Sequence, residues 1–568
     1  MRRKPITGVV AGFFTLPVLA GQVYLWQGPS ETERSGNWET AENWLVDGVT
    51  ATSYPGATSN DDQAHFTNGT YTVTMASSKT LAVVERSKRN EDLASADHGT
   101  CTLDLNGCEL TVSRRIDCSI RTYQFQGGRP GDGSVIVFTN GTVLCDAEVV
   151  TAQGGSEAAF AEAAGVGVGL PWSWPDRVRG VLSFSDAEAV FRSVTVASSQ
   201  GAIRVENGSD MTVSGRFEIR GAAGTANGVA LAVGGSGTRF TAGHIYMAGQ
   251  NCSTNLFENG AVANVGWICQ AVDQKENQTA EDVGAWTIVR SGATLNLTSA
   301  NEGRSLYCHN KTVRPQHFVV TGPGSRVNLT CEGTKKGEPA LDVGRIEFSP
   351  RSHTFEVHDG AAVAGGADSA MFVGADTGDN LVVVDDASLS IGYLMCGTTY
   401  WHQEADGKKL GLASNNTVRV SGRRAKLEVK GAEAFSNSAS GGGGAMNLNY
   451  NTSLEISVPE TGFDATPVQV PNDKLCTKGS TISGYAGNPG CRLTISAKKW
   501  AKKHKGEEQA LISTAKDSSA AFVELTNNVV FADIAGGEPR PTFRIGKDGT
   551  ATTLFLVAPR RGIEIIVR

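Results

Sequence analysis

Long amphipathic helical patterns rich in Leu, Glu, Lys and Ala are nearly missing from this chain, and aromatic residues make up only 7% of it. In their place stand short strings of Val, Ile, Leu and Thr cut by Gly, Asn, Asp and Ser, which is the vocabulary of strands and turns. Long apolar runs are scarce as well. The one near the start, "ITGVVAGFFTLPVLA", is shorter than the ~20 residues that cross a bilayer as a helix, and no second one follows. With Arg2, Arg3 and Lys4 before it and Val18-Leu19-Ala20 behind it, this run reads as a signal peptide over residues 1–20. The alternative is a membrane anchor. No Cys follows at the cleavage position, which argues against a lipoprotein.

Excess positive charge is also lacking. The formal charge is −7, and removal of residues 1–20 takes it to −10. A mildly acidic exported chain is a poor partner for nucleic acid or anionic membranes. No CxxC occurs among the eleven cysteines, so zinc-ribbon spacing is absent. The thiols are expected to be small buried apolar groups, stacked between neighbouring turns of a repeat; one or two disulfides are the alternative, and the odd count leaves at least one thiol alone. No DxDxDG loop, HExxH, P-loop or G-x-S-x-G elbow is present. The sequence implies no cofactor and no metal.

What is abundant is glycine, 68 of 568 residues or about 12%, against a usual ~7%. Much of it sits in a recurring template: an apolar residue, two or three turn residues, a small residue, then alternating apolar positions. Copies include "FTNGTYTV", "DLNGCELTV", "VENGSDMTVSG", "FENGAVANVG", "VRSGATLNLT", "VHDGAAVAGG" and "VDDASLSIG". In the central run the copies lie 25 to 38 residues apart. Such variation suits a solenoid, in which each coil keeps its strands and varies its loops. Paired Asn, Asp and Gly supply the positive φ of a tight corner, and alternation after the corner turns one side of each strand inward. A row of β-sandwiches would need closure over ~100 residues, and no repeat of that period is visible.

These features predict an all-β chain, a right-handed parallel β-helix (β-solenoid) with an N-terminal cap and a C-terminal β-rich cap. Residues 21–66 form the N-terminal cap and first coil, 67–444 the body, and 445–568 the final coils and β cap. Residues 430–445, "KGAEAFSNSASGGGGA", read as a loop inserted between coils. In the last stretch "TFRIGKDGTATTLFLV" reads as a hairpin turning at "KDG", after a strand and a variable excursion.

Three of the nine tryptophans, Trp26, Trp38 and Trp44, fall in the first mature segment. They suit either a sugar platform or a lid over the open end of the core, and the lid is preferred because large rings with one polar edge can face core below and water above. "PWSWP", with Trp172 and Trp174, suits a loop packed against the rod or a tip that stacks on sugars. "KKWAKKHK", with Lys498, Lys499 and Trp500, suits a solvated helix or loop, or a contact for an acidic glycan. A polysaccharide or cell-surface glycan is therefore the expected partner.

The opening pattern of Trp26 and Gly28, Gly36 and Trp38, Asn43 and Trp44, Pro55 and Gly56, and Asp62 before Phe66 resembles the first coil of secreted bacterial β-helix proteins. Those proteins carry autotransporter-associated β-strand repeats and belong to the broad pectin-lyase-like architecture. The resemblance implies a right-handed β-helix over most of the chain and a secreted or cell-surface location. It departs from true autotransporters in showing no translocator-barrel pattern at the C-terminal end, so one-step export of a soluble or surface-held product is expected.

Enzymes also use this architecture. Asp385-Asp386 with Arg424 and Lys426 resembles part of a polygalacturonase set, but no Gly-His-Gly lies between them and His244 comes too early. Asp385-Asp386 is expected to be corner chemistry. His353 and His358 are an odd number of residues apart and are expected on opposite faces of a strand, not as a metal pair. The expected role is non-catalytic, structural or adhesive. A lyase or hydrolase acting on acidic polysaccharide is the alternative, and no catalytic residue is assigned.

Overall fold

A computed structural model describes residues 21–30, 32–67, 69–88, 99–120, 134–147, 165–168, 180–197, 201–221, 228–249, 253–272, 285–298, 305–309, 315–330, 340–345, 352–375, 378–398, 415–432, 444–448, 452–477 and 491–560. The segment read as a signal peptide, most of the 430–445 insertion, and Trp172 and Trp174 lie outside them.

The chain is all-β and dominated by parallel pairing. Each repeat sends one strand to each of three parallel ladders. One repeat shows the order. Gly201–Glu206 lies in the second ladder. A corner at Asn207-Gly208 follows. Asp210–Gly221 then serves two ladders, with Asp210 to Val213 in the third and Arg216 onward in the first, after a register shift between them. The next repeat returns to the second ladder at Val229–Gly234, which pairs directly with Gly201–Glu206 on one side and Thr254–Glu258 on the other. The parallel register persists to Val529–Phe531, where Leu493 pairs with Val529.

Corners follow from residue type. Asn207, Asn259 and Asp359 have φ of 53°, 56° and 53°, and the glycines after them have φ near 80°. Two successive left-handed residues reverse the chain tightly, and Asn or Asp followed by Gly tolerates that geometry at least cost. Successive corners are stapled together. Gly360 N–H donates to the Asp386 carbonyl at 2.9 Å, and Asp386 N–H to the Ser421 carbonyl at 2.8 Å. Where the small residue of the template is Ser or Thr, its buried hydroxyl accepts from the corner before: Thr238 Oγ1 from Gly208 N–H and Ser325 Oγ from Gly292 N–H, each at 3.0 Å.

Inward positions are Val, Leu, Ile and Phe, nearly all fully buried. Phe138 stacks on Phe184 and Phe318 on Phe355, as identical side chains do when register repeats. One inner column is polar. Gln316 N–H donates to His353 Nδ1 at 3.1 Å, His353 N–H to Asn380 Oδ1 at 3.3 Å, and Asn380 N–H to Asn416 Oδ1 at 3.1 Å. Each side chain thus satisfies a backbone donor of the preceding repeat at the start of a ladder strand, where an unpaired buried N–H would be costly.

Antiparallel pairing appears only at the two ends of the described chain. At the first, Leu25 and Trp26 face Leu45 and Trp44. At the other, Glu508–Thr514 and Thr542–Asp548 flank Ala551–Val557. The hairpin expected at "KDG" is there, with Asp548 opposite Ala551 and Gly549 at φ 61°. The excursion before it differs from a loop: Ser519–Asn527 is an α-helix that buries Ala521, Phe522 and Leu525. Among the described residues no helix is long and apolar enough to cross a membrane.

Candidate ligand-binding face

Of the aromatic candidates from the sequence, the structure withdraws several rings from solvent. Trp26, Trp38 and Trp44 are each 0% exposed. Trp44 packs edge-on against Trp26 at 4.9 Å and Trp38 at 5.0 Å, and their indole N–H groups donate to the carbonyls of Arg34, Pro55 and Trp38. A ligand cannot reach their faces. Asp62, the acidic end of the same motif, is buried and accepts from Gln22 N–H and Gly56 N–H.

Lys498, Lys499 and Trp500 lie in a short helix, Lys498–Lys503. It is amphipathic: Trp500 and Ala501 are buried while Lys499 and Lys502 are exposed. Trp500 stacks on His504, and Lys498 Nζ pairs with Glu538 at 2.9 Å. The expected contact for an acidic glycan is thereby corrected in its aromatic part, since Trp500 points into the protein and leaves only the exposed lysines to solvent.

Asp385 and Asp386 do corner work. Asp386, at φ 49°, accepts from the Arg424 backbone N–H at 2.9 Å and from the Arg424 guanidinium, which holds its carboxyl below the usual range. Asp385 accepts from Ser421 Oγ at 2.7 Å. Lys426 pairs with Glu428 at 2.9 Å. His353 faces the core at 2% exposure while His358 faces outward and pairs with Glu356 at 2.8 Å. Among the described residues no group of three or more His, Cys, Asp or Glu is placed to hold a metal.

A different set comes together on the outer side of the first ladder. Three repeats read "SGRFEI", "AGHIYM" and "VGWICQ". Their glycines form a column in which a Cβ would strike backbone: at Gly243 it would lie 2.7 Å from Gly215 O, and at Gly266 2.1 Å from Gly243 O. Only glycine permits this close turn. The residue after each glycine then points outward. Register places Arg216, His244 and Trp267 in one row and Glu218, Tyr246 and Cys269 in the next.

The imidazole of His244 lies flat on the indole of Trp267, centroids 4.6 Å apart and planes within 5°. Arg216 covers the Tyr246 ring at 4.1 Å and pairs with Glu218 at 2.8 Å. Burial, and then the Arg216 charge, pushes the His244 imidazole below its ordinary pKa, so it is neutral at neutral pH. Burial pushes the Cys269 thiol up to about 12, which removes it as a nucleophile. The result is a neutral stacked ring pair beside a guanidinium, with one face of each ring covered by the other. Such a surface can stack on a sugar ring and bond its hydroxyls or carboxylate. A second flat stack, Trp286 on His317 at 4.0 Å, sits on the second ladder.

The first ladder also carries outward carboxylates at Glu85 and Asp117, Cα partners on adjacent strands and both nearly buried. Arg115 forms an ion pair with Glu85. No protein-family model, no curated protein and no solved structure matches this chain.

Proposed function

We propose that the three ladders are the faces of a right-handed parallel β-helix, capped at one end around Trp38 and at the other by the antiparallel hairpin. In this reading the protein is exported and works outside the cell as a structural or adhesive rod that holds a glycan without transforming it. The observation that carries the reading is the outward row Arg216, His244, Trp267. It offers a stacked ring pair and a cation, and among the described residues of this row and the next the one carboxylate, Glu218, is already paired with Arg216. The resemblance of the opening motif to secreted bacterial β-helix proteins supports the same reading.

A carbohydrate-active enzyme acting on acidic polysaccharide is the second reading. One observation favours it: strands in a ladder lie ~4.8 Å apart, so Glu85 and Asp117 stand near the ~5–5.5 Å separation of a retaining pair. In that reading the Arg115 ion pair suits Glu85 to the anionic role, and Asp117 would carry the proton. A glycan array run beside assays for unsaturated uronate and new reducing ends separates the two. Binding without product is the expected result. Product that disappears in Glu85→Gln and Asp117→Asn would overturn it.

A further inference from the structure

On the outer side of the third ladder, the row that opens each strand has an ordered charge pattern. Register runs Glu109, Thr142, Glu188, Asp210, Arg239, Val262, Thr294, Arg326 on eight successive strands. Acids occupy the first half and cations the second. The five charged members are all exposed. Several outward charges elsewhere are tied within the chain, as in Arg290 with Glu258, Arg419 with Glu455 and Arg423 with Asp464. Among the described residues these five make no such ion pair; Glu109 and Glu188 accept only from the hydroxyls of Thr111 and Thr142. The parallel row two residues further along the strands is uncharged from Thr80 through Asn296 to Ser390. Within it the carboxamides of Asn264, Asn296 and Asn328 fix one another at 2.8 Å.

We propose that this face pairs with the same face of a second copy of the chain, the two ladders running in opposite directions. The symmetry decides the partner. A two-fold axis lying in the face and directed along the strands sends each row onto itself and reverses the order of the strands. Centred between Asp210 and Arg239, it sets Asp210 against the second copy's Arg239 and Glu109 against the second copy's Arg326. Both pairs occur twice, so four opposite-charge contacts form and no two like charges meet. Thr142 then faces Thr294, Glu188 faces Val262, and the uncharged row meets itself. For a chain of formal charge −7, a face free of like-charge opposition is where two copies can approach. An isologous contact requires such self-complementarity. Eight strands span roughly 35 Å at ~4.8 Å each, a small interface by the standards of stable dimers, so the pairing is weak and salt-sensitive.

Sedimentation velocity on the full chain tests this over a concentration series at low and at high salt. The expected result is a monomer–dimer equilibrium that salt weakens. Glu109→Arg and Arg326→Glu each raise the dissociation constant on the order of tenfold, and the double variant restores it. Glu109 and Arg326 stand at opposite ends of the row, so restoration cannot arise within one chain. Circular dichroism and melting confirm that each variant folds, and either single variant with the salt series suffices if the other does not. A monomer at every concentration, a dimer indifferent to both reversals, or a double variant no better than the singles would overturn the proposal.

Discussion

The indole N–H of Trp44 donates to the carbonyl oxygen of Trp38 at 2.8 Å, with both rings fully buried. Phe66 touches both rings at 5.8 Å, so the antiparallel end of the chain is joined to the first core layer through aromatic packing. Trp38→Ala opens a large cavity there and should cost about 3–5 kcal/mol, read as a lowered denaturation midpoint. Glycan binding per folded molecule should stay unchanged. A variant of full stability that loses glycan would instead identify Trp38 as a ligand platform.

Trp267→Ala should do the reverse. The ring is half-buried on the outer side of the first ladder, so its loss should move the melting temperature little. It should weaken glycan binding about tenfold, as loss of one stacking ring worth ~1–1.5 kcal/mol implies. Arg216→Ala should weaken acidic glycans more than neutral ones. Isothermal titration with the best array ligand measures both.

The corners and the hairpin were legible because their chemistry is local: Asn207-Gly208 and Gly549 adopt positive φ for reasons visible in two residues. The outward row was not. Arg216, His244 and Trp267 follow glycines at the same offset in three copies, but that offset means a shared face only once the register shift between Val213 and Arg216 is known. The polar column of Gln316, His353, Asn380 and Asn416 was hidden for the same reason, since each residue is isolated in sequence and aligned only across repeats. Trp500 was misleading because five lysines surround it in sequence, whereas helical periodicity turns it inward and the lysines out.

Burial sets thiol reactivity. Cys101 and Cys491 carry free thiols, and burial pushes both up to about 12. Thiolate is the reacting form, so peptides carrying these residues should stay unlabelled when the native protein meets a maleimide or iodoacetamide. Cys108 and Cys476, which are only half-buried, should label first. Mapping by mass spectrometry before and after denaturation checks the order. Early labelling of Cys101 would show that the core opens locally.

His353 gives stability a pH dependence of known sign. Fully buried, its imidazole is pushed down to about 3, first by desolvation and then by the nearby His317. An unfolded His binds a proton near pH 6.5. Between those values the unfolded chain holds the extra proton, so stability rises with pH there. The contribution is complete above about 6.5 and is lost progressively as pH falls toward about 3. Its limiting slope is ~1.4 kcal/mol per pH unit. His353→Asn should flatten this slope and still fold, because Asn380 and Asn416 fill the next two places in the same column and accept the same kind of backbone hydrogen bond. Denaturation midpoints from pH 4 to 8 for both proteins decide it. Equal slopes would mean that protonation elsewhere governs acid unfolding.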